Sequence, residues 1–184
     1  MSQSTLRLFI GIPLNQEWSH LLQQWVNQQG KLPLKWVRPD NYHLTLFFFG
    51  ATPVDMLPNL LSLIDLAIKG RAPFKLAFSQ VQLAPKPSRP RMIWARFQKT
   101  TPFLDLVQSI HQLFLQIQPS HQSRFSPLPH VTVARIPDPV WVEKLVWPKL
   151  PFPDSLPVNE VVLWESELVE GGSVYRPLKS WRLG

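Results

Sequence analysis

The chain contains no cysteine. That excludes disulfides, thiolate nucleophiles and cysteine-based zinc sites, and it suits a reducing compartment. Glycine is scarce, at 7 of 184 residues. None falls in a Gly-x-Gly-x-x-Gly, Gly-Lys-Ser/Thr or Gly-x-Ser-x-Gly pattern. The sequence therefore offers no glycine-rich phosphate cradle and no hydrolase nucleophile elbow. His-Glu-x-x-His is missing too, and no histidine set shows a zinc-ligand spacing. No lysine sits in a distinctive motif, although a covalent lysine is not excluded on that ground. No apolar run reaches the length of a membrane span. The start, Met1 to Arg7, has no long apolar stretch and does not read as a signal peptide. Acidic residues are outnumbered, 12 Asp plus Glu against 19 Lys plus Arg, for a net charge of +7. That balance favours an anionic partner, nucleic acid first, although a basic soluble surface gives the same count. The expectation is a soluble cytoplasmic protein with no metal and no cofactor.

What is present is a short repeated pattern. His43-Leu44-Thr45-Leu46 opens the β-prone run His43 to Phe49, which Gly50 is expected to stop. His130-Val131-Thr132-Val133 repeats the alternation close to half a chain length later. In a strand, residues two apart share a face. His43 and Thr45 thus point one way, and Leu44, Leu46 and Phe48 the other. A single His-x-Thr on a strand is most simply a structural histidine. Two, at half-length spacing, imply two similar halves that each give a His and a Thr to one cleft.

The remaining elements follow from periodicity and punctuation. Leu6 to Ile12 reads as a strand ended by Pro13. Apolar residues at helical spacing mark helices over Leu14 to Gln29 and Pro53 to Ile68, with Pro58 as the second one's true start. A third helix opens at Thr101-Pro102, with Thr101 as its cap. Phe74 to Leu83 and Met92 to Phe97 alternate as strands. Between them Ala84 to Arg91 reads as an exposed basic loop. Asp138 to Leu145 suits a short helix, and Val158 to Leu168 a strand. Gly171-Gly172 makes a hairpin turn into Val174 to Leu178. Short links between strands imply an α+β chain with antiparallel sheets, organised as one bilobal domain over residues 1–184. His20, His111 and His121 have no Thr two residues on and read as structural or surface residues.

Two histidines on opposite sides of a bond can act as base and acid together. A phosphodiester between them needs one neutral ring to take a proton from water and one charged ring to protonate the departing oxygen. The paired Thr hydroxyls can hold phosphoryl oxygens. These residues alone do not say which histidine does which.

The chain resembles the 2H phosphoesterase superfamily, and within it the RNA 2′,3′-cyclic phosphodiesterases, also called 2′-5′ RNA ligases. The likeness runs through Arg7 to Ile10, Trp36 to Pro39, His43 to Leu46 with Phe49-Gly50, Pro90 to Ala95, and Pro129 to Arg135. It continues through Glu165-Ser166, Leu168, Gly172 and Tyr175. The resemblance implies a bilobal, pseudo-symmetric fold with two antiparallel sheets lining a central cleft and helices outside. It implies metal-independent hydrolysis of RNA 2′,3′-cyclic phosphate ends, those of tRNA fragments among them, to 2′-phosphomonoesters. Reversible 2′-5′ ligation is implied as well, by a monomeric enzyme. It makes His43 the acid and His130 the base, with Thr45, Thr132 and Arg135 on the substrate. Departures are Phe47, where relatives often carry a basic or small residue, and a longer segment over Phe125 to Pro129. Simple alternation puts Arg135 on the face away from His130, so a bulge or strand end is needed to bring it to phosphate. Phe9, Trp36, Tyr42, Trp94 and Tyr175 are candidate base-stacking residues. Two alternatives compete: a non-catalytic RNA or nucleotide-binding 2H module, and a small-nucleotide cyclic phosphodiesterase.

Overall fold

The two motif strands lie side by side. In the computed structural model, which describes residues 4–119, 127–147, 152–170 and 172–184, they are β3 (His43–Pro53) and β6 (His130–Arg135). They pair antiparallel through Leu44 and Val131. Both are fully buried, so the flanking His and Thr residues turn to the opposite, open face. Antiparallel direction then brings each histidine towards the other strand's threonine.

A half-sheet grows outward from each motif strand. Beside β3 come β1 (Thr5–Pro13), β8 (Glu160–Val169) and β9 (Gly172–Arg182). Beside β6 come β5 (Arg89–Phe97), β4 (Phe74–Lys86) and β7 (Ser155–Val158). The short β2 (Lys35–Trp36) pairs with the far end of β6. Every pairing is antiparallel, as expected for the α+β class. The two half-sheets join along the β3–β6 rung and so form one hydrogen-bonded path.

Helices cover the apolar face. Helix α1 (Gln16–Asn27) is capped by the Asn15 side chain, which accepts from the Trp18 amide at 3.0 Å. It follows β1 in sequence but packs on the other half-sheet. Trp18 meets Phe78 and Phe97 there, and its indole donates to the Ser155 carbonyl at 3.2 Å. Helices α2 (Leu57–Ile68) and α3 (Thr101–Ile117) lie against the first half-sheet, where Phe114 packs on Phe47 and Phe49. Each fully buried large side chain of this kind contributes about 1.5–3 kcal/mol. Among the described residues no helix is long and apolar enough to cross a membrane.

Several boundaries differ from the sequence expectation. Gly50 does not stop β3: with φ at 77° it passes the strand on to Pro53. Ala84 to Arg91 is a tight hairpin between β4 and β5, with Ala84 buried and Lys86 paired to Arg89. Alternation there was masked by prolines, which tolerate positions where no ladder hydrogen bond is required. Thr100, not Thr101, holds the N-cap position of α3, and its side chain makes no capping bond. Val158 to Leu168 splits at Asn159, where the chain crosses from one half-sheet to the other. Asp138 to Leu145 is a 3₁₀ turn over Pro139–Lys144. His121, Phe125, Ser126 and Gly171 lie outside the described residues.

Candidate active site

Each motif histidine is held by the same local device. The Nδ1–H of His43 donates to the Asn41 carbonyl at 2.7 Å, and that of His130 to the Leu128 carbonyl at 2.6 Å. In both cases the acceptor lies two residues upstream. A carbonyl only accepts, so Nδ1 carries the proton in either charge state. The working nitrogen is then Nε2: a base when the ring is neutral and an acid when it is charged. His43 Nε2 lies 3.0 Å from Thr45 Oγ1 and accepts its hydroxyl proton in the neutral state.

The two rings have different surroundings. His43 sits among Phe9, Trp164 and Tyr175, with ring centres 4.8, 5.6 and 5.2 Å away. Burial there pushes its pKa down to about 4, against a smaller upward pull from the Asn41 carbonyl, and His130 lowers it further. His130 stacks on Trp94 at 3.9 Å. Burial lowers its pKa too, opposed by the Leu128 bond, with Arg96 adding to the depression. In the free protein at neutral pH both rings are therefore uncharged. An anion between them would favour the protonated form.

All five expected site residues, His43, Thr45, His130, Thr132 and Arg135, line one cleft of about 470 Å³. Arg135 reaches it because β6 bulges. Ile93 pairs with Ala134 but Trp94 with Thr132, so Val133 is the extra residue and the alternation resets. The first motif strand does the same. Phe9 pairs with Phe48, Ile10 with Phe47 and Gly11 with Thr45, leaving Leu46 as the extra residue. Leu46 and Phe47 are both buried, and Phe48 turns out into the cleft at 43% exposure. This reverses the alternation expected for the pair: Phe47 is core and Phe48 faces the cleft. The guanidinium of Arg7 lies over the Phe48 ring at 4.9 Å.

Arg7, Lys35 and Arg38 join Arg135 on the cleft wall, and its described lining holds no carboxylate. Of the candidate stacking residues, Phe9, Trp36 and Tyr175 line this cleft. Tyr42 is buried and borders a neighbouring cavity of about 270 Å³. Arg89 and Arg91 do not line the cleft. Phe48 was missed because a bulge leaves no mark in a period-two pattern. Asn41 was missed because its partner is distant: its side-chain amide donates to the Ser173 carbonyl at 2.9 Å.

Comparisons with known proteins identify the family. A profile described as LigT like Phosphoesterase matches residues 12–94. An RNA 2′,3′-cyclic phosphodiesterase of Thermus thermophilus is 30% identical over 155 residues, 80% of this chain and 74% of that one. One of the same name from Methanothermobacter thermautotrophicus is 29% identical over 82% of this chain and 83% of its own. The crystal structure of TT0787 of Thermus thermophilus superposes with a TM-score of 0.78 at 28% identity, covering 96% of this chain and 97% of the other. With two His-x-Thr strands paired antiparallel at a basic cleft, this chain belongs to the LigT-like phosphoesterases of the 2H superfamily and is a phosphoesterase.

Proposed function

We propose that the protein hydrolyses RNA 2′,3′-cyclic phosphate ends to 2′-phosphomonoesters, by two-histidine acid/base catalysis without a metal. The observation that carries this reading is the matched pair of Nδ1-anchored histidines in a cleft whose described charges are all cationic. Such a cleft suits a phosphodiester anion, and Nε2–H is presented as a donor once a ring is charged.

His130 takes the proton of the attacking water. Burial first, and Arg96 with it, keeps this ring neutral, the form a base requires. His43 protonates the departing O3′. Its buried ring disfavours the charged form, so the bound phosphate supplies the counter-charge that lets it carry the proton. Thr45, Thr132 and Arg135 hold the non-bridging oxygens. O3′ belongs to the terminal ribose, so that nucleoside lies on the His43 side, within reach of Phe9, Phe48 and Tyr175 for stacking. Arg7, Lys35 and Arg38 then meet the upstream phosphates. The enzyme works on free RNA ends in the cytoplasm as a monomer.

The test is a short RNA with a 2′,3′-cyclic end, incubated in EDTA, with the position of the product phosphate read out. Turnover to a 2′-phosphate is expected. Loss of turnover in EDTA with recovery on adding zinc or magnesium would refute the mechanism. His43→Ala and His130→Ala should each lower kcat/KM by ~10² or more. With an activated aryl phosphodiester, whose leaving group needs no proton, only the His43 variant should recover. Recovery of the His130 variant instead would exchange the two roles.

A further inference from the structure

Charge is unevenly spread along this chain. Residues 67–104 hold eight Lys and Arg and no Asp or Glu, whereas the rest holds eleven cations against twelve acids. This one segment therefore carries the whole net charge of +7. Five of its cations, Lys75, Lys86, Arg89, Arg91 and Arg96, stand on the β4–β5 hairpin. None of the eight is in an ion pair within the described residues. Lys86, Arg89 and Arg91 are exposed at the closed end of the hairpin. The ladder runs out to Lys86 opposite Arg89, and only Pro87 and Ser88 make the turn. These cations are thus held on a paired arm, not on a loop.

The arm continues the wall of the cleft. Lys35 is opposite Arg135, and Arg135 is opposite Met92. The Arg91 carbonyl accepts from the Ile136 amide at 2.8 Å. From Met92 to Arg89 is roughly 10 Å further along β5. Cations therefore run from Lys35 and Arg135 in the cleft out to the end of the arm.

The side chains of the arm say which nucleic acid it suits. Single strands are held by bases stacked on aromatic rings, whereas duplex RNA is held through its phosphates and 2′-hydroxyls. No large apolar side chain is exposed within residues 67–104, and Trp94 and Phe97 are buried. The exposed ring of Phe48 lies in the cleft instead, where the reacting end binds. Two paired strands also present about twice the charge per length of one, so a duplex gains more from a cationic arm.

We propose that Lys86, Arg89 and Arg91 dock the double-stranded part of a folded RNA whose unpaired 3′ end enters the cleft. For the placing of that end, the inference rests on the phosphodiesterase reading above. The arm holds phosphates of the stem, and the cyclic phosphate reaches the histidines on a short overhang. The partner is a base-paired RNA with a single-stranded 3′ end, not an unstructured strand.

Docking is measured first without chemistry. A stem RNA with a 3′-hydroxyl overhang, and an unpaired RNA of the same length and end sequence, are titrated by fluorescence anisotropy. The variant Lys86→Gln/Arg89→Gln/Arg91→Gln should bind the stem RNA about tenfold or more weaker, with the slope of log affinity against log salt reduced by about two or more. Its affinity for the unpaired RNA should change little. Arg89→Glu alone should weaken the stem RNA in the same direction. With cyclic ends on both RNAs, kcat/KM should show the same split. The triple variant should hydrolyse a 2′,3′-cyclic mononucleotide at the wild-type rate, which also shows that it is folded. Equal losses on both RNAs would overturn the duplex assignment in favour of a single-strand track. An unchanged stem affinity would place the arm off RNA altogether. A wild-type enzyme that hydrolyses no cyclic end would overturn the phosphodiesterase reading, while the anisotropy comparison would still decide the docking.

Discussion

Acidification should destabilise this protein through His43 in a definite window. Burial among Phe9, Trp164 and Tyr175 lowers the His43 pKa from the ordinary 6.5 to about 4. At ~1.4 kcal/mol per pH unit, the depression is worth about 3 kcal/mol. The unfolded chain takes up this proton as the pH falls through 6.5, while the folded chain resists until about 4. His43 thus contributes its full stability above 6.5, loses it progressively between 6.5 and 4, and changes little below that. The assay is urea unfolding from pH 7.5 to 3.5 for the wild type and His43→Gln, whose amide does not titrate. The difference between the two curves removes the carboxylates and His130, which both proteins share. It should shift by about 3 kcal/mol against the wild type as the pH falls through the window. Inorganic phosphate should shrink the shift, because an anion in the cleft favours the charged ring. A difference that stays flat with pH would refute the burial argument, as would an imidazole resonance for His43 that titrates at 6.5 or above in the free protein.

Four further outcomes follow from the same geometry. Because both histidines titrate below their ordinary value in the free protein, kcat/KM should fall about tenfold per pH unit from pH 7 to 8.5; a plateau across that range in the cyclic-nucleotide assay would contradict it. Gly11 carries no side chain where a Cβ would meet the Leu44 carbonyl oxygen at 2.5 Å. Gly11→Ala should lower stability by about 1–3 kcal/mol and reduce turnover by displacing the first motif, as read by urea unfolding and rate on one preparation. Asn41→Ala frees the carbonyl that holds His43 from its tie to Ser173, so kcat should drop with KM little changed and recover with an activated aryl ester. Arg135→Ala should raise KM for RNA and reduce the slope of log affinity against log salt by about one; an unaltered slope would place Arg135 off the phosphate.

The alternation of His43, Leu44 and Thr45, repeated at His130, Val131 and Thr132, was enough to anticipate that these His and Thr side chains share one candidate cleft, because period-two burial is a local property of any strand with one wet face. Helical stripes such as Leu60, Ile64 and Ile68 were legible for the same reason, as was the cationic character of the chain. Four things were not. Bulges at Leu46 and Val133 turn Phe48 and Arg135 into the cleft, and a bulge is set by the partner strand's register. The tie between Asn41 and Ser173 joins residues on distant segments that only the sheet brings together. Helix α1 crosses to cover the half-sheet that its own strand does not belong to, because Trp18 finds Phe78 and Phe97 there. Arg96 comes opposite His130 through strand pairing alone. Residue type and spacing determined the chemistry available to this chain. Register between strands, which depends on the packing of both faces at once, decided which further side chains share the cleft with it.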